Sequence, residues 1–219
     1  MRSTLLLIEL LSICSGLYHP LPTRTPGRVL TEPISHHSKD RELNVTLVFG
    51  PLDLAEDSNG MGVKLNLVGF NDTSPGPTLR VRAGDTLRIL LKNHMKPEQV
   101  STHSVHNDFR QFDTVNLHTH GLHVSPLVPG DDIIDTFVLP GEEFQYVYKI
   151  PEDHMGGTFW YHPHYHGATA AHVNDGAAGL IIIEDAANQL PAEVALLEEH
   201  VVVAHRINFD DLEFIGKGK

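Results

Sequence analysis

Two segments decide the reading: Asn116-Leu117-His118-Thr119-His120-Gly121-Leu122-His123, and further on Gly157-Thr158-Phe159-Trp160-Tyr161-His162-Pro163-His164-Tyr165-His166-Gly167. Eight of the sixteen histidines fall between His118 and His172. Thr114-Val115 precede the first histidine pair and Thr158–Tyr161 the second, and β-branched and aromatic runs of this kind favour extended chain. In a strand, residues i and i+2 point to the same face. Two such pairs on neighbouring strands would bring His118, His120, His162 and His164 to one point. Neutral imidazole is the commonest protein ligand for zinc and copper, so the pattern predicts a metal site.

Working outward, short alternating runs are separated by turn residues. Leu43–Phe49, Gly62–Phe70, Thr78–Arg82, Thr86–Lys92, Val115–His120, Phe144–Ile150 and Thr158–His162 read as strands. Ala178–Ile183 is apolar throughout, which suits a central buried strand. Asp57–Gly60, Ser74–Pro77, Ala83–Asp85 and Leu139–Gly141 supply the turns, and 93–111 reads as a polar excursion loop. This spacing predicts an all-β fold, an antiparallel sandwich or barrel. Helix signals are confined to one turn near His172–Asp175 and another in Pro191–Glu199.

The chain has 219 residues. A domain of about this size buries roughly 70% of the surface its unfolded chain exposes, so a core without disulfides suffices. The formal charge of −12 argues against nucleic acid or an anionic membrane as partner. Met1–Gly16 reads as a secretory leader, with Arg2 followed by the apolar run Leu5–Leu11, which Glu9 interrupts. That leader implies a secreted or periplasmic location. No other stretch approaches the length of a membrane span. Cys14 is the only cysteine, so a mature chain without the leader must build any metal site from nitrogen and oxygen donors. Residues 17–40, rich in Pro, His, Ser and Thr, read as an extended arm or linker in which His36-His37 are solvated. The tripeptides Asn44-Val45-Thr46 and Asn71-Asp72-Thr73 have the form of glycosylation sequons.

One H-x-H motif is a weak sign of metal, whereas two, each followed closely by glycine, are a sharp one. Glycine beside a ligand strand permits close approach of backbone and metal. Asp131 and Asp132 follow the first motif and are candidates to orient a ligand or relay protons, unless they belong to a solvated turn at Pro129-Gly130. His123, His154, His166 and His172 are read as surface or supporting residues.

At these residues the sequence resembles the multicopper oxidases, a family of laccase-like, bilirubin-oxidase-like and cuprous-oxidase-like proteins. The resemblance covers about 43–184. It is closest in Pro75-Gly76-Pro77-Thr78-Leu79-Arg80-Val81-Arg82-Ala83-Gly84-Asp85-Thr86-Leu87, Asn116–Leu122, Trp160–Gly167 and Gly179–Asp185. It implies that 41–186 is the first cupredoxin domain, a Greek-key β-sandwich, and that it donates half the histidines of a trinuclear copper cluster that reduces dioxygen to water. Under that resemblance His118 would bind the type 2 copper, His120 and His162 one type 3 copper, and His164 the other. Asp131 or Asp132 would assist protonation.

The family's later H-x-x-H-x-H and H-C-H motifs have no counterpart here, and no cysteine follows Cys14. A blue-copper site needs a cysteine thiolate. The expectation is therefore half a cluster, inactive alone, with 187–219 as a linker and the start of a truncated second domain. The partners expected are the missing cupredoxin domains or another subunit, with dioxygen and a small-molecule or metal-ion reductant in the full enzyme. Two alternatives stay open: a zinc hydrolase, in which three histidines activate water, and a secreted histidine-based metal module completed by oligomerisation.

Overall fold

A computed structural model of the chain describes residues 31–53, 66–97, 111–186 and 189–205. The leader, the arm before residue 31, the turn at Asp57–Gly60, most of the excursion loop and residues 206–219 lie outside the described residues. Nine strands and two short helices are described in chain order. The strands are β1 (Ser35–His37), β2 (Glu42–Asp53), β3 (Asn66–Phe70), β4 (Thr78–Arg82), β5 (Thr86–Asn93), β6 (His118–His120), β7 (Glu143–Lys149), β8 (Gly157–His162) and β9 (Gly179–Glu184). The helices are α1 (Thr169–Asp175), between β8 and β9, and α2 (Ala192–Ala195).

The strands form two sheets, β1-β4-β9-β8-β6 and β3-β2-β5-β7. Alternation along β5 buries Leu87, Ile89 and Leu91, as the period-2 pattern requires. Their partners in one contiguous core include Leu47, Phe49, Phe70, Leu79, Val81, Tyr146, Tyr148, Tyr161, Ile181 and Ile183. The apolar run expected to be a central strand is β9, third of five in its sheet, with Ile181, Ile182 and Ile183 all buried.

The expectation of an antiparallel sandwich is corrected in one respect. Both sheets are mixed: β1 with β4, β4 with β9, and β2 with β5 run parallel. Hydrophobic alternation records which face a residue takes and carries nothing about strand direction. A second correction concerns the arm, since Ser35–His37 is not free chain but a strand paired with Thr78–Arg80. His36 is half-buried there, and only His37 is exposed. The strand expected over Val115–His120 is shorter, with Val115 held instead in an isolated bridge to Val138.

Candidate metal centre

The antiparallel pairing of β6 and β8 sets His118 opposite His162, Thr119 opposite Tyr161 and His120 opposite Trp160. Thr119 and Tyr161 are buried, Tyr161 in the sandwich core. The pleat therefore turns His118, His120, Trp160 and His162 together to the other face of the sheet. His164 lies just beyond the end of β8, past Pro163, so its i+2 relation to His162 does not come from a continuous strand. The polypeptide places it all the same: the His164 N–H donates to Oδ1 of the buried Asn116 at 2.7 Å. The ring centroid of His118 is 5.3 Å from that of His162, 5.2 Å from that of His164 and 5.6 Å from that of His120. His162 and His164 are 5.8 Å apart. The four imidazoles expected from the two motifs thus form one cluster.

Two of the rings have their tautomer fixed by partners. Nδ1 of His118 donates to Oδ2 of Asp131 at 2.7 Å, while Oδ1 of Asp131 accepts from the Thr119 N–H and hydroxyl. Nδ1 of His162 donates to the Pro163 carbonyl at 2.8 Å. In each case Nε2 is left as the ring's lone-pair nitrogen. Nε2 of His162 is buried and has no hydrogen-bond partner. An orphaned buried acceptor is costly unless something fills its site. Ligating nitrogens of His118, His120 and His162 lie within 4.8 Å of one another. This donor set suits a borderline metal such as copper or zinc, and the orphaned nitrogen marks where such an ion fits.

Burial is the main cause that pushes the His162 pKa down to about 4, with the neighbouring His118, His164 and His120 acting in the same direction and the Pro163 carbonyl opposing. The ring is accordingly neutral, and able to ligate, well into the acid range. The Trp160 ring stacks on both imidazoles, 4.9 Å from that of His120 and 4.1 Å from that of His162, and those two rings are tilted 5.9 Å apart. Beside the row lies an open cavity of about 560 Å³, lined also by Thr169, Ala170, Val173 and Asn174 of α1 and by His205.

The two aspartates separate. Asp131 orients His118. Asp132 instead accepts from the Ile134 and Asp135 N–H groups and the Thr136 hydroxyl, and those backbone bonds hold its carboxyl below the usual range. Its oxygens are spent on its own loop. The glycine after the first motif has a structural requirement of its own. Gly121 has φ of +91°, and a Cβ there would press on Phe159, so glycine is needed to turn the chain and clear an aromatic ring.

Nε2 of the buried His154 accepts the His123 N–H, and Nδ1 donates to the Met155 carbonyl, while His172 is buried against Phe49. Neither is a surface residue, and His166 is exposed. Sequence reasoning passed over Asn116, Trp160 and His205. Asn116 and Trp160 sit inside the two quoted motifs and share their spacing, whereas His205 had no local signal.

Comparison with known proteins identifies the family. The multicopper oxidase family profile matches residues 55–107 and 102–188. A multicopper oxidase of Staphylococcus haemolyticus is 28% identical over 151 residues, which span 66% of this chain and 29% of that protein. The iron transport multicopper oxidase FET3 of Candida albicans is 34% identical over 134 residues, 59% of this chain and 18% of the relative. Among solved structures, a Campylobacter jejuni multicopper oxidase described as a metallo-oxidase superposes with a TM-score of 0.55 at 27% identity. That superposition covers 72% of this chain and 29% of the other. The chain thus spans under a third of the length of these relatives. The family implies copper binding, and the two-sheet fold is that of its cupredoxin domains. With the profile matching well over half of its length, this chain belongs to the multicopper oxidase family.

Proposed function

We propose that the described domain is the first cupredoxin domain of a multicopper oxidase and supplies His118, His120, His162 and His164 as half the ligands of a trinuclear copper cluster. The single observation that carries this reading is the convergence of the four rings around the partnerless Nε2 of His162. Donor nitrogens of His118, His120 and His162 lie within 4.8 Å of one another, and the ring of His164 stands 5.2 Å from that of His118 and 5.8 Å from that of His162. In this reading His118 serves the type 2 copper, His120 and His162 share one type 3 copper, and His164 serves the other.

Copper, when bound, would relay the reductant's electrons and provide the oxygen-binding positions for reduction of dioxygen to water. The chain's own residues present lone pairs and hold the rings. Asp131 orients His118 and is the carboxylate placed to hold a proton beside it, while Asp132 stiffens the loop that carries Asp131.

The remaining ligands and the cysteine of the electron-accepting copper belong to further cupredoxin domains or to another subunit, since these 219 residues contain no cysteine after Cys14. The chain alone is then inactive. Small-molecule or metal-ion reductants and dioxygen are the partners of the whole enzyme, and a secreted or periplasmic location follows from the leader-like start. The boundaries we propose are 1–16 for the leader, 17–40 for the arm, 41–186 for the domain and 187–219 for a linker opening a second domain. Among the described residues no helix is long and apolar enough to cross a membrane.

Metal analysis of the purified chain tests this. Copper retained by the parent and lost in His162→Ala supports the assignment. Zinc at one ion per chain would replace it with the hydrolase reading, for which the His118, His120 and His162 donors also have suitable chemistry. Copper retained only on concentration-dependent assembly would favour a module completed between subunits.

A further inference from the structure

The cavity over the histidine row is lined by one imidazole from outside both motifs, that of His205. We infer that His205 is a fifth imidazole donor to copper held in this cavity. The inference rests on the copper reading above and adds a ligand from the segment that follows the domain.

Three observations converge on it. The first is position. His205 lines the same cavity as His118, His120, His162 and His164. Together with Trp160 and Val173 it also borders an adjoining apolar cavity of about 180 Å³, whose wall includes Val203, Ala204 and Pro75. It stands where the two spaces meet.

The second is anchorage. The segment leading to His205 is fastened at several points: Glu199 pairs with Arg80, Nδ1 of His200 lies 3.0 Å from Glu32, and Val201 is buried. Arg80, itself largely buried, also binds Glu184 at 2.7 Å. The segment is thereby tied to β4, β9 and the residues before β1, with His205 close beyond the ties.

The third is availability. Among the described residues, both nitrogens of His154 are engaged, by the His123 N–H and the Met155 carbonyl, while Nε2 of His172 is engaged by the Phe112 carbonyl and its partnerless Nδ1 is buried outside the lining of this cavity. His205 is exposed and carries no hydrogen bond or ion pair among the described residues. Of the other side chains around the cavity, the Thr169 hydroxyl is spent on the Tyr165 carbonyl, and the Trp160 indole has no lone pair to give. In the chain by itself the coordination positions that further domains would fill are open to another donor, and imidazole nitrogen is a favourable donor to copper.

The test uses the 219-residue chain and copper alone. Cu(I) affinity is measured against a chromogenic competing chelator, and the nitrogen count around bound copper is read by X-ray absorption. Loss of an outer partner of a metal ligand typically costs at least roughly tenfold in affinity. His205→Ala, an exposed change that leaves the circular dichroism spectrum intact, should weaken copper at least that much and lower the nitrogen count. His205→Gln should not restore either. If His162→Ala loses copper while His205→Ala keeps both parent affinity and parent nitrogen count, the fifth-donor assignment is overturned and the four-histidine site stands. If neither variant changes anything, the copper site itself falls, and His205 with it.

Discussion

Asp131 shows how much one side chain settles. By accepting from Nδ1 of His118 and from both Thr119 donors, it fixes ring rotation, tautomer and the start of β6 at once. Asp131→Asn keeps the size but loses the charge that holds the imidazole. We expect a roughly 10- to 100-fold loss of copper affinity, with the far-ultraviolet spectrum unchanged. Titration of both proteins with copper checks it, and equal affinities would return Asp131 to the role of a simple loop residue. His120→Ala and His162→Ala should likewise cut copper retention without unfolding the domain, because both rings face away from the sandwich core. Metal content and melting temperature measured on the same samples separate the two effects. His118, His120 and His162 were legible because their spacing matches the pleat, whereas His164 joins them from beyond the end of β8, past Pro163. The choice between Asp131 and Asp132 was not, since it depends on how the turn at Gly130 folds back on Ser125 and Leu127. His205 was invisible for the same kind of reason: only the packing of the final segment brings it to the cavity.

At the scale of elements, the pairing of β8 with β9 positions the centre. Tyr161, on the core face of β8, donates its hydroxyl to the Pro77 carbonyl and is fully buried. Opposite it in register sits Gly179 of β9, where a Cβ would collide with the Tyr161 ring. Only glycine permits this close approach. Gly179→Val should cost at least about 1–3 kcal/mol through overpacking. Denaturant unfolding reads the loss, and an unchanged midpoint would show that Tyr161 has room to move. The sequence announced β9 by composition and β5 by alternation, but it gave no warning that β4 lies between two parallel neighbours. Pairing partners separated by a hundred residues leave no local trace. Asn71 makes a related point about motifs. Its side chain accepts from the Val48 N–H at 2.6 Å and donates to the Thr46 carbonyl, so that sequon is engaged in tying two segments together, whereas Asn44 is exposed on β2.

Taken whole, the molecule has a definite acid response. Burial, the main cause in both, holds His162 and His172 down to about 4 from the ordinary 6.5. The unfolded chain therefore binds more protons than the folded one between those values. Their contribution to stability is complete above about pH 6.5, declines as pH falls toward 4 and is gone below it. Asp175 opposes this, because burial raises it to about 6 and it favours the folded state as pH falls. Two histidines outweigh one carboxyl, so the metal-free domain should melt at lower temperature at pH 4.5 than at pH 7. His172→Gln should flatten the difference, and identical pH profiles for parent and variant would remove His172 from the account. Oxygen consumption by the chain with a phenolic reductant should be nil, and measurable turnover would overturn the half-cluster reading. The pairing of His118 with His162 has one more consequence. These candidate ligands are distant along the chain and meet only when the sheet closes, so an unfolded polypeptide offers copper no preformed nest. Uptake should trail folding in time, and the ion, once seated, should act as a clamp whose release requires the two strands to part.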